Sequence, residues 1–108
     1  MAREKFQTLT EQMFYILLCL GQERCGADMM AWISETTGGR VAVGPGTLYN
    51  LLEQFLRAGY IRETKVEGRK RSYVITPAGQ EALAAEVRRL RTLTADYEHL
   101  AETEGGAL

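Results

Sequence analysis

Apolar residues recur at helical spacing in four stretches of the chain, and a short β-prone run lies between the third and the fourth. The first stretch opens at Thr8, where Thr8-x-x-Glu11 has the form of a capping box, and continues through Leu20. Leu9, Met13, Ile16, Leu17 and Leu20 make one apolar stripe on it. Phe14 and Leu18 make a second stripe, which either extends the same core or meets another subunit. Residues 26–37 read as a second helix, with Gly26, Met29, Met30, Ile33 and Thr37 on one side and Gly38-Gly39 as the stop. Trp32 projects about 100° from the centre of that stripe, so it is either a surface aromatic or part of an interface.

Pro45 at a first helical position starts a third helix that runs to about Ala58 and is ended by Gly59. Leu48, Leu51, Leu52, Phe55 and Leu56 are spaced to form its buried face, and Thr47, Asn50, Gln54 and Arg57 occupy the other side, with Tyr49 on the flank. Residues 60–66 and 70–75 then predict a two-stranded hairpin around Glu67-Gly68-Arg69, which has to lean on the helices because a lone hairpin is marginal in water. Thr76-Pro77 starts the longest helix, unbroken after Gly79 until Gly105-Gly106. On it Leu83, Leu90 and Tyr97 repeat every seven residues, and Val87, Thr94 and Ala101 repeat beside them. Such a seam suits pairing with another helix, and the expected partner is a second copy of the chain, not its own domain.

The 108 residues have room for one core, and 45% apolar with 25% charged residues is an ordinary globular composition. No apolar run approaches the roughly 20 residues of a membrane span, and the start Met1-Ala2-Arg3-Glu4-Lys5 leads into an amphipathic pattern without a signal-peptide cleavage site. The expectation is a cytoplasmic protein with no membrane partner. Cys19 and Cys25 have no nearby Cys or His to complete a zinc site, and are read as reduced structural thiols. The net charge of −1 is unevenly spread: residues 60–75 carry five bases against two acids, and residues 77–108 carry three bases against six acids. A basic patch near the hairpin and an acidic far end follow from that distribution.

The order helix, helix, turn, helix, hairpin, long helix is that of a winged helix-turn-helix, giving a fold that is mainly α with a small β-hairpin and a long C-terminal dimerisation helix. Its expected divisions are a winged helix-turn-helix unit over residues 1–76, a dimerisation helix over 77–104 and a flexible tail over 105–108. Thr47, Asn50 and Gln54 are polar residues of the kind that read base edges in the major groove of double-stranded DNA. Tyr49 can reach a phosphate through its hydroxyl or a thymine methyl through its ring. Arg69, Lys70 and Arg71 at the hairpin tip are suited to phosphates, which position a protein without reading sequence.

An enzyme is disfavoured, since the lone His99 has no catalytic companions and neither Gly38-Gly39 nor Gly44-Pro45-Gly46 is followed by the Lys-Ser or Lys-Thr of a phosphate loop. No cofactor or metal is called for. A winged helix that binds protein instead of DNA is the other alternative, and weak salt dependence of its binding would identify it.

Three segments resemble the PadR-like transcriptional regulators in their short, single-domain form: Gly46-Thr47-Leu48-Tyr49, Leu56-x-x-Gly59-Tyr60-Ile61, and the run from Gly68-Arg69-Lys70-Arg71 through Thr76-Pro77-Ala78-Gly79. The resemblance extends over about residues 8–101. It implies a homodimer joined through the first and last helices, with Phe14, Leu18, Leu83, Val87, Leu90, Thr94 and Tyr97 at the interface. It further implies repression at an inverted-repeat operator and release by a small aromatic effector, for which Trp32 and Tyr97 are the candidate pocket residues. Tyr97 either lines such a pocket or packs in the seam. The chain departs from the family pattern at Trp32, where a polar residue is common, and at Gly44, where Ser is frequent. A bare Gly44 leaves amide groups at the helix start free to meet a phosphate.

Overall fold

Thr10, not Thr8, caps the first helix in the computed structural model, which describes residues 8–104. Helix α1 is Glu11–Cys19; the Thr10 hydroxyl accepts from the Met13 amide at 3.2 Å, and the Met13 sulfur accepts from the Thr10 amide in return. The start predicted at Thr8 gives way to this reciprocal Thr10–Met13 pair, and the Leu9 amide ahead of the helix is accepted instead by Glu86, 77 residues along the chain. The chain continues through β1 (Arg24–Cys25), α2 (Gly26–Thr36), α3 (Pro45–Ala58), β2 (Ile61–Glu67), β3 (Lys70–Ile75) and α4 (Pro77–Thr103). The tail expected at 105–108 lies outside the described residues.

The hairpin is not a two-stranded ribbon. It is part of a three-stranded antiparallel sheet of order β1-β3-β2, in which Arg24 pairs with Tyr73 and Cys25 with Ser72. A bulge between Glu63 and Lys65 interrupts the β2–β3 register, and Gly68, at a φ of 64°, makes the turn. A bond from the Ile75 amide to the Leu20 carbonyl, 2.8 Å, ties the base of the wing to the end of α1.

Ile16, Leu17 and Leu20 of the first segment meet Met29 and Ile33 of α2 and Leu48, Leu52 and Phe55 of α3 in the core. All eight are essentially inaccessible to water. Leu56 is the exception to the predicted stripe on α3, at 39% exposed. At 100° per residue it stands about 80° round the helix from Leu48, beyond the edge of the face that packs.

Where α3 ends, Gly59 takes the left-handed conformation (φ 78°) and the Tyr60 amide bonds back to the Phe55 carbonyl. Thr76 then closes the wing: its hydroxyl donates to the Gly59 carbonyl at 2.6 Å and its amide to the Tyr60 carbonyl at 2.9 Å. The same Thr76 side chain caps α4 by accepting from the Gly79 amide. Gly79 is buried at this crossing, where a β-carbon would stand 2.1 Å from the Tyr60 carbonyl oxygen.

Candidate nucleic-acid interface

Helix α3 owes its position to the buried stripe, which turns the opposite face outward. Thr47 and Asn50 are exposed there, Gln54 is half-buried, and the glycines Gly44 and Gly46 lie on the surface at the helix start. Gly44 is the N-cap, with no side-chain cap bond. A β-carbon at either glycine would meet nothing within 4 Å, so the fold itself has no steric need of glycine at these two places.

Tyr49 stands to one side, half exposed, with its ring against Gly26 at the start of α2. Together with the wing it walls an open cavity of about 430 Å³, whose lining includes Gly26, Asp28, Tyr49, Arg69, Lys70 and Arg71. The structure thus brings Tyr49 and all three wing bases to one place, while Thr47, Asn50 and Gln54 form a separate ridge round the helix. Gly26, read from the sequence only as part of a helix stripe, belongs to this cavity. A glycine in the first turn, where ordinary helix formers are favoured, was the available signal.

The three wing bases are not equivalent. Arg71 is engaged by Glu63 across the sheet at 2.8 Å, a hydrogen bond that raises its pKa. Among the described residues no ion pair is seen to Arg69 or Lys70. Burial raises the pKa of the Tyr73 phenol, with Glu63, its partner in β2, adding to the effect.

Away from the wing, Phe14 of α1 and Val87, Leu90 and Thr94 of α4 line a shared groove of about 490 Å³. Leu83 packs against the core, Leu18 is exposed on α1, and Tyr97 stands further along α4, where every residue from 91 to 100 is exposed. Leu90, Leu93, Tyr97 and Leu100 are each 42–58% accessible, an apolar row projecting beyond the domain. Trp32 is elsewhere: it packs on the core of its own subunit with the Arg24 guanidinium 5.3 Å over its ring. Neither Trp32 nor Tyr97 lines the two cavities described above.

A profile of the transcriptional regulator PadR-like family matches residues 16–85, from the middle of α1 to the first turns of α4. The chain belongs to this family. The PadR-like match identifies it as a transcriptional regulator and not as an enzyme. The winged-helix fold is also shared with solved structures. A transcriptional regulator from Clostridium thermocellum superposes with a TM-score of 0.72 at 21% identity, over 80% of this chain and 88% of that one. Bacillus subtilis PadR in complex with operator DNA superposes with a TM-score of 0.61 at 23% identity, over 68% of this chain and 45% of that one. A 37.1 kDa protein of a Streptomyces fradiae transposon is 33% identical over 69 residues, and these span 64% of this chain but only 19% of that protein. No helix among the described residues is long and apolar enough to cross a membrane.

Proposed function

We propose that the protein is a cytoplasmic repressor that binds an inverted-repeat operator in double-stranded DNA as a homodimer. In this reading residues 1–76 form the DNA-binding unit and residues 77–104 the dimerisation helix. The observation that carries it is the placement of an exposed polar ridge, Thr47 and Asn50, on the same helix as a tyrosine that faces a basic wing. A helix with one face locked in the core and such a ridge on the other is suited to the major groove, with the wing bases on the adjoining backbone. The bare starts at Gly44 and Gly46 suit close approach of the α3 backbone to a phosphate. That Bacillus subtilis PadR, of the same fold, has been solved with operator DNA supports the same reading.

The apolar row on α4 and the Phe14–Leu90 groove supply the surface for pairing, since large apolar side chains in a contiguous exposed patch are costly to leave in water. Pairing there fixes the separation of two α3 helices, and so the spacing of two half-sites. An aromatic effector held where Tyr97 meets the second copy, with Trp32 as the other candidate contact, would release DNA by changing that separation.

Two measurements test the proposal together. Sedimentation at micromolar concentration is expected to give twice the chain mass. Affinity for a duplex is expected to fall steeply with salt, by a slope of about 0.9 in log units for each phosphate contacted. A chain that remains single would overturn the dimer, and binding that ignores salt would point to a protein-binding winged helix instead.

A further inference from the structure

Tyr49 is the residue of α3 that lines the cavity beside the wing. It lies about 100° round the helix from Asn50, so with Asn50 toward the floor of a groove its ring faces the groove wall, where the phosphates run. The ring is seated on Gly26: a β-carbon there would be 2.3 Å from the phenolic oxygen and 2.9 Å from the carbon that bears it. Among the described residues the Tyr49 hydroxyl has no hydrogen-bond partner, although half of the side chain is covered. The cavity beside it is lined by three cations, Arg69, Lys70 and Arg71, against one acid, Asp28. Because Glu63 already holds Arg71, the two cations left for a ligand are Arg69 and Lys70.

The geometry points to a seat for one phosphate of the DNA backbone, formed by the Tyr49 hydroxyl with Arg69 and Lys70, and kept open by the missing side chain of Gly26. This inference rests on the DNA-binding reading above. It assigns Tyr49 to the phosphate through its hydroxyl and excludes the contact of its ring with a thymine methyl. It also makes Gly26 a positioning residue, which acts through the tyrosine without touching DNA. A phosphate suits the place because its oxygens accept from a hydroxyl and two cations at once, and its charge offsets the local excess.

The test begins with a duplex recovered by selection from random DNA using the full chain. Its phosphates are then replaced singly by uncharged methylphosphonates. One position in each half-site is expected to cost the unaltered protein about tenfold in affinity, the worth of a charge-assisted hydrogen bond. At that position the replacement should cost Tyr49→Phe only about threefold, since Arg69 and Lys70 remain. Gly26→Ala should behave as Tyr49→Phe does, and the double variant should be no weaker than either alone. Equal losses at every phosphate in both proteins, or losses in Tyr49→Phe and Gly26→Ala that add, overturn the seat. A loss in Tyr49→Ala that Tyr49→Phe does not share, confined to duplexes with a thymine at one position, overturns it in favour of the methyl contact. If no duplex is recovered, the DNA-binding reading falls and the seat with it.

Discussion

Glu86 and Leu9, 77 residues apart, are joined by a hydrogen bond of 3.1 Å from the Leu9 amide to the Glu86 carboxylate. The same carboxylate is held by Arg89 one turn along α4, and the Glu86 side chain is almost wholly covered. One acid therefore fastens the segment ahead of α1 to the long helix.

Replacing Glu86 by Ala leaves the Leu9 amide buried without an acceptor, and is expected to cost about 2 kcal/mol of stability. Glu86→Gln keeps an acceptor and should cost less. The Arg89 hydrogen bond holds the carboxyl below its usual pKa, with Leu9 assisting against the cost of burial. A lowered folded pKa gives stabilisation that is present above the unfolded value, about 4.3, and is lost as pH falls through the folded one. The gap in melting temperature between the unaltered protein and Glu86→Gln should accordingly narrow on going from pH 7 to strongly acidic buffer.

Gly79→Ala drives a methyl group into the Tyr60 carbonyl and within 2.7 Å of the Ile75 side chain. Since backbone cannot yield as a side-chain tip does, a loss near the top of the overpacking range, about 3 kcal/mol, is expected in chemical denaturation. Gly46→Ala, which meets nothing, should leave stability within about 0.5 kcal/mol.

Cys19 is buried and donates to the Ile16 carbonyl, and desolvation pushes its thiol up to about 12 against the opposing influence of Arg24. Only the thiolate reacts quickly with alkylating agents, so Cys19 should label with iodoacetamide at neutral pH only after unfolding. The raised value also makes stability fall as pH climbs from the unfolded pKa near 8.5 toward 12. Cys19→Ser, compared with the parent at pH 7 and pH 10, checks that slope.

At the wing, Arg69→Ala and Lys70→Ala should each flatten the salt dependence of DNA binding by about 0.9 in log units, and weaken all duplexes alike. Arg71→Ala should flatten it less, because Glu63 already offsets that charge. Asn50→Ala should change which sequences are preferred, by about 1–3 kcal/mol for a lost bidentate contact. Titrations at several salt concentrations separate the two kinds of effect.

Leu90→Asp combined with Tyr97→Asp places charge on two exposed positions of α4 that contribute little to the subunit's own core. The helical signal should be retained while the sedimenting mass drops to that of one chain. An unchanged assembly would move the pairing surface away from α4.

The strongly periodic elements were legible in the sequence. Pro45, the spacing of the Leu48–Phe55 stripe and Gly59 bound α3, and Thr76-Pro77 marks the start of α4. What escaped depends on residues far apart in the chain. The two-residue strand β1 is too short to show alternation and exists because β3 offers it an edge. A nearer cause displaced the Thr8 capping box: Thr10 pairs reciprocally with Met13, whose thioether is not the Glu or Gln such a box usually carries. Glu86 itself looks like one more charge on an amphipathic helix. Its position beside Leu83, Val87 and Leu90 was the only sign that it falls on the covered side. For the site, residue types marked the ridge and the wing, whereas the seating of Tyr49 on Gly26 required knowing where α2 begins relative to α3.

Thr76 binds the last turn of α3, the closing end of the wing and the start of α4 within a single residue's reach. An ordinary N-cap serves one helix, whereas this hydroxyl serves the end of one and the start of another. Losing it would leave both ends short of a partner at once, so a change at this single side chain should be felt on either side of the wing.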